Sequence, residues 1–521
     1  MGMCYRFISA WDAGQIELKG AYSRDRVLAL NDYTSSTPWW RIVAVILLTP
    51  LPCLVYICLP ETVDLSPPSL EMGNNKTFFG RFFLSYTMWC LLQMHMISER
   101  MPLLSLSKKQ LVVCAVTVAA LSTGVELLYA WWIGFPVPYT IHMMAVPYVS
   151  LMFFALAIVW YPHVRLHWAL LWKIADAILI CVCHGLVIIG YPLFYYAFQT
   201  MDVGIESAVF SLVLPVLKTL YRVLFYYFCR SASGERITIV VVFNADLVNA
   251  LFVNFCMQYQ PSFATTAGLM VANALQVALM IRDIDVIRKR VADTTREIVQ
   301  LQKGDKAVSN LSNDRVATMS MLPRAVGIFQ RYTFKPTQQA SDRSKTSKTV
   351  APLDSPVSPC GPTTNIIAGT HSELEQLERK YASLVRKLMY ASEFSILTAY
   401  AEVITPIVYS LYLFIVFHMP NRDYYSQIAS MDSTHLANTV LNVLLYSLVE
   451  LTAFTVLSQT LKSRLNFSTL HQLAFVLDRQ MIHVQTAIIL WVFYTTQISL
   501  AHYGTDYTFE FAWLSSNSTS A

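Results

Sequence analysis

The chain has 521 residues, of which 55% are hydrophobic, 13% aromatic and only 14% charged. Soluble domains carry about 25% charge, so the composition excludes a row of roughly three to five soluble domains at about 100–200 residues each. The formal net charge of +5 excludes an acidic-tail protein, and the basic residues fall between apolar runs, which gives no reason to expect nucleic acid. The composition instead implies an all-α, polytopic transmembrane helix bundle whose first partner is the lipid bilayer.

A helix needs about 20 mostly apolar residues to cross a bilayer core. Eleven such runs are read in chain order: 40–59, 78–97, 111–132, 141–160, 171–191, 207–229, 237–257, 263–281, 394–417, 436–457 and 481–500. The runs around Arg81 and Lys218 are the least clean, so ten or twelve spans stay open. The expected organisation is a cytoplasmic tail over 1–39, an eight-span bundle over 40–281, a cytoplasmic insert over 282–393, a three-span bundle over 394–500 and an extracytoplasmic tail over 501–521. No cleavable signal sequence is visible in the first forty residues.

Lys and Arg stay on the cytoplasmic side of short loops. With the insert inside, Arg6, Lys19, Arg24, Arg100, Lys108, Arg230, Lys462 and Arg479 fall inside, while only Lys76 and Arg422 fall outside. The N-terminus is then cytoplasmic and the C-terminus extracytoplasmic, in a plasma membrane or an endomembrane. The sequons at Asn75 and Asn517 land outside, where glycosylation occurs. Most of the 10 Cys lie within spans and none in an outside loop, so no disulfide framework is expected.

Ile284, Ile287, Val291, Thr294, Ile298 and Leu301 repeat as a heptad, and so do Leu374, Leu377, Tyr381, Leu384 and Leu388. Helices over 282–302 and 371–393 follow, either as an antiparallel coiled-coil stalk or lying on the bundle or lipid. The intervening 303–370 is rich in Ser, Thr, Pro and Lys and reads as a disordered linker, open to a cytoplasmic protein partner. Within it, the apolar–basic stretch 319–335 is a candidate for anionic lipid. Ser355 and Ser358, each before a proline, are phosphorylation candidates.

Ionisable groups at mid-bilayer face a partner or water. Lys218 and Arg222 share one helix face, and Asp246 sits at similar depth, so a Lys218–Asp246 pair is expected, as a solute site or as a register lock. Asp176, Glu126, Glu402 and Glu450 are four further carboxylates suited to a cation or proton path, or to helix cross-links. Arg81, near a span end, is expected to snorkel. Only 17 Gly occur, which argues against the broken helices of many transporters.

Catalytic motifs are absent: there is no Walker A loop, HExxH helix or GxSxG elbow. No enzyme activity and no cofactor are expected. His163 and His167 stand four apart without supporting ligands, so no metal site is expected either.

The segments His418-Met-Pro-Asn-Arg-Asp-Tyr-Tyr425, Gln472-Leu-Ala-Phe-Val-Leu-Asp-Arg-Gln480 and His502-Tyr-Gly-Thr-Asp-Tyr-Thr-Phe-Glu-Phe-Ala-Trp513 resemble a large oomycete family of multi-pass membrane proteins. Phe243-Asn-Ala-Asp246 through Gln258 and Leu214-Pro-Val-Leu-Lys218 are similar too. The resemblance covers the chain from the fifth span onward. It implies that Lys218, Asp246 and 420–425 lie in recurring motifs, and it carries no activity. The residues themselves favour a transporter or channel-like protein for a small or charged solute, with a receptor or scaffold signalling through the insert as the alternative.

Overall fold

A computed structural model describes residues 15–70, 72–101, 104–165, 170–201, 206, 210, 213–259, 263–304, 321–333, 363–506, 511 and 513. The described residues are helical apart from loops and turns, and they contain no strand. In chain order the helices are α1 (Arg24–Ser36), α2 (Trp39–Leu48), α3 (Leu51–Cys58), α4 (Lys76–Arg100), α5 (Lys108–Trp132), α6 (Thr140–Val164), α7 (Leu170–Gln199) and α8 (Val213–Ser233). Then follow α9 (Ile237–Val241), a π-helical turn (Val242–Asp246), α10 (Leu247–Tyr259), α11 (Phe263–Gly304), α12 (Met321–Thr333), α13 (Thr363–Phe417), α14 (Ser433–Leu465), α15 (Thr469–Arg479) and α16 (Met481–Gln497).

Eight described helical stretches are long and apolar enough to cross a membrane, or nine if the pair α15–α16, bent by 82°, is one span. These helices place the protein in a membrane. The expected run over 78–97 lies within α4, and residues 213–229 of the run over 207–229 lie within α8. They fall outside that set, being the two runs that carry Arg81, Lys218 and Arg222.

Burial divides the bundle into a core and a shell. Residues 237–256 are buried without interruption, as are 388–406 of α13 and 486–498 of α16 and its C-cap. A helix enclosed on every side must lie inside the bundle. Helices α2–α8, α11 and α14 surround these three and bury only a stripe each; Trp131, Trp132, Trp172 and Val271 point outward and are exposed.

The two heptad stretches of the insert form the ends of α11 and α13, which continue from the membrane-crossing segments and pack on each other. Ile284, Ile287, Val291, Thr294 and Ile298 are buried along that contact. The linker read as disordered contains a helix, α12. Leu322, Ala325, Ile328 and Phe329 form its buried stripe, against α13 and α1 rather than lipid. The Arg24 guanidinium donates to the Phe329 carbonyl at 2.6 Å, and Arg331 pairs with Glu378 at 3.0 Å. Ser355 and Ser358 lie outside the described residues.

Burying one such apolar side chain contributes about 1.5–3 kcal/mol. Ile328→Asp is therefore expected to undock α12, accelerating proteolysis within 305–333 while the bundle's melting temperature holds. Unchanged cleavage would show that α12 is held by something else.

Candidate functional site: a polar column through the bundle core

Polar and charged side chains recur along the three core helices, from the insert end of the bundle to the far end. At the insert end, Glu393 of α13 accepts from Arg26 at 2.7 Å and from Tyr22 and Thr238. Gln472 of α15 joins this cluster, accepting from Ser392 and donating to the Tyr22 hydroxyl at 2.9 Å. Glu17, in the turn Ile16–Leu18, lies within electrostatic reach of Arg222 and Asp246, and burial pushes its carboxyl above the usual range. The described part of the segment read as a cytoplasmic tail thus packs against the core through Glu17, Tyr22 and Arg26.

Deeper in, Arg222 donates through Nε to Asp246 Oδ1 at 2.6 Å and through Nη2 to Thr398 at 3.2 Å. Thr398 in turn donates to Asp246 Oδ2 at 3.0 Å. The π-helical turn ends on Asp246; such turns are rare and concentrate at functional sites. One helical turn on, Lys218 donates to Glu402 Oε1 at 3.0 Å, and Gln276 approaches the same oxygen at 3.5 Å. The expected Lys218–Asp246 pair is therefore wrong. Lys218 and Arg222 are four apart on α8, Thr398 and Glu402 are four apart on α13, and the two helices run in opposite directions. The pairs fall into register only as Arg222 with Thr398 and Lys218 with Glu402, which leaves Asp246 to Arg222.

Glu450 of α14 accepts from Asn273 Nδ2 at 2.7 Å, the same nitrogen that reaches the Tyr446 hydroxyl at 2.8 Å. Glu450 is close enough to Glu402 for their charges to repel. In these layers two cations, Lys218 and Arg222, face three carboxylates, Asp246, Glu402 and Glu450.

Further toward the far end, Tyr409 donates to Gln258. Asn254 lies one turn before Gln258 on the same helix face. It is fully buried, and neither end of its amide has a partner among the described residues. The Gln258 nitrogen and the Ser410 hydroxyl are also buried without partners there. Buried polar atoms are rarely left unpaired, and a run of them marks a place for water or an ion.

The far end is closed by a second charged cluster. Arg81 does not snorkel; it is 5% exposed. Its guanidinium grips both oxygens of Glu61 and donates to Gln497 at 2.7 Å and the Tyr425 hydroxyl at 3.2 Å. Tyr425 donates to Glu61 at 2.5 Å. Asn421 fastens the adjoining loop, accepting from the Leu65 amide at 2.9 Å and donating to the Val63 carbonyl at 2.8 Å. His502 stacks on Phe78 at 5.3 Å and donates through Nε2 to the Ser66 carbonyl at 2.8 Å.

Burial holds the His502 imidazole well below its ordinary value, at about 4, partly opposed by the Ser66 carbonyl. The unfolded chain titrates near 6.5. Between those values the unfolded state binds a proton that the folded state refuses, so stability falls as pH drops from about 6.5 to about 4 and then levels off. A melting temperature that falls through this window in the parent, and less steeply in His502→Phe, is the expected result. Parallel profiles would remove His502 from the account.

The remaining candidates scatter. Glu126 is buried and accepts from Thr140 at 3.2 Å, but joins none of the layers above. Asp176 is only half-buried. Asn75 stands at the N-cap position of α4, and its buried side-chain nitrogen donates to the Leu70 and Pro67 carbonyls. Asn517 and His167 lie outside the described residues. Among the described residues no group of three or more His, Cys, Asp or Glu could hold a metal ion.

Glu61, Arg26, Glu393, Asn273 and Asn254 were not singled out by the sequence reading. Glu61 follows Leu59-Pro60 at the end of the first apolar run and looks like a loop residue. Asn273 and Asn254 are neutral, and a search for charges passes over them. A scan for amides within spans would have found both. Compared with family models, with curated proteins and with solved structures, the chain has no match, so the polar column stands on its geometry alone.

Proposed function

We propose that the protein moves a small charged solute across the membrane along this column, with a cation or proton as the class its charges suit. The observation that carries the reading is the enclosed stretch 237–256, buried throughout although it holds Thr238, Asn244, Asp246, Asn249 and Asn254. Intramembrane polar groups are costly and tend to mark solute paths. The third carboxylate of the central layers, Glu450, favours a positive occupant, whereas Lys218 and Arg222 are each already matched.

The column is expected to be wet. Cysteine placed at 254 or 450 in a Cys-depleted protein should react with a small cationic thiosulfonate applied in water, while cysteine at 115, in the buried face of α5, should not. Liposomes containing the protein and a trapped pH dye should carry a proton flux that Glu450→Gln abolishes. Full protection of 254 and 450 in folded protein, with no flux, would refute the proposal.

The docking of α12 on α1 supports a second reading, a scaffold or receptor whose insert binds a cytoplasmic protein. That reading keeps the core dry and makes partner binding depend on 303–370.

A further inference from the structure

A cavity of about 420 Å³ lies off the column, between α4, α6, α7 and α16. Its walls include Trp89, Ala145, Gly185, Ile189, Trp491 and Phe493. Val146 of α6 and Ile178, Val182, Leu186 and Ile189 of α7 line it too, and all five are exposed. They belong to apolar membrane-crossing helices. The opening therefore faces hydrocarbon.

Ile178, Val182, Gly185 and Ile189 recur every three or four residues, which draws one stripe along α7. Eleven steps at about 1.5 Å give a slit about 16 Å long, half of a hydrocarbon core about 30 Å thick. Gly185 sits in the middle of it. A Cβ built there would meet nothing within 4 Å. Glycine in a membrane helix usually lets another backbone approach, and at Gly190 the Tyr221 hydroxyl does fill the space. At Gly185 no neighbour takes it. Glycine weakens a helix interior, so here its effect is to hold the slit open.

We propose that this slit is a lipid-binding site that takes one acyl chain of a bilayer phospholipid. Its walls are predominantly apolar, and polar atoms among them, on His184, Trp491 and Tyr148, are held by Asn244 and Gln93, so the space suits an apolar chain better than a polar solute. Its entrance meets only the bilayer interior, and its long axis runs along the helices, as acyl chains do. A pocket of this size with aromatic and aliphatic walls lies within the range of small-molecule sites. The assignment does not depend on transport through the column.

The test is photolabelling of the full-length protein in liposomes of phosphatidylcholine carrying a diazirine on one acyl chain, with adducts mapped by mass spectrometry. Adducts are expected on 141–150 and 178–189 above those on lipid-facing residues of α5. Gly185→Phe should reduce them to the α5 level, and the smaller Gly185→Leu should reduce them in part. Gly124→Phe, where a Cβ also meets nothing, should leave them unchanged, with α5 adducts and size-exclusion behaviour reporting that each variant is folded. Labelling of the slit no stronger than on α5, or unaffected by either Gly185 variant in folded protein, overturns the proposal. So does a diazirine sterol that labels the slit and displaces the phospholipid from it.

Discussion

Lys218→Glu destabilises the bundle by about 3–5 kcal/mol, the cost of leaving buried charges uncompensated, and adding Glu402→Lys recovers most of the loss. The expectation follows from the 3.0 Å Lys218–Glu402 pair, both partners being almost wholly buried. In the single variant three carboxylates crowd one layer, since Glu450 stands beside Glu402. Exchanging the charges restores one cation against two anions. Thermal unfolding of the detergent-purified protein, followed by tryptophan fluorescence, measures it. The decisive comparison is the double variant Lys218→Glu with Asp246→Lys, which should stay destabilised because Asp246 belongs to Arg222. Rescue by Asp246→Lys and not by Glu402→Lys would invert the pairing and with it the order of the layers.

The second large effect is expected at the far end. Arg81→Ala leaves Glu61 buried and unpaired and should cost about 3–5 kcal/mol. Arg81→Lys should still lose about 1.5–3 kcal/mol, the worth of a hydrogen bond to a charged group. An ammonium is a point charge and cannot reach both Glu61 oxygens, Gln497 and Tyr425 from one planar fork. Replacing Arg81 and Glu61 together by Met should cost less than Arg81→Ala or Glu61→Ala, because no charge is then stranded. Melting curves of the four variants decide the matter. A lysine variant as stable as the parent would show that only the charge, and not the guanidinium geometry, closes this end.

Both clusters bear on the proposed path. The Glu61–Arg81–Tyr425–Gln497 cluster and the Arg26–Glu393–Gln472 cluster bracket the Asn254 amide, the Gln258 nitrogen and the Ser410 hydroxyl, which have no partner among the described residues. A solute crossing this bundle has to pass ends that are tied by charged hydrogen bonds. Partial loosening of either end, in variants that still fold, is where altered flux is expected first.

The resemblance drawn from the sequence can be followed residue by residue. Of the segments that carried it, 420–425 supplies Asn421 and Tyr425, 472–480 supplies Gln472, and 502–513 supplies His502. These residues stand at the two ends of the column. Lys218 and Asp246 stand in its middle. The motifs therefore fall on contacts that hold the bundle together.

Hydropathy and charge by themselves determined that the chain forms an all-helical bundle in a membrane, where most apolar helices begin and end, and that Lys218, Arg222, Asp246, Glu402 and Glu450 need partners. These are sums over about 20 neighbouring residues, and they survive ignorance of every long-range contact. Tertiary structure alone decided the rest. The pairing of Lys218 with Glu402 depends on the relative direction and register of α8 and α13, and the two residues are 184 positions apart in the chain. The enclosure of 237–256 depends on what surrounds it, since an apolar run reads the same whether lipid or protein covers it. The burial of Arg81 was decided by Glu61, Tyr425 and Gln497, brought together from three distant segments. A linker composition that reads as disorder was overridden at α12 because α1 and α13 supplied the apolar surface it lacked. Apolarity is a property of a segment, whereas a partner is a property of the packing.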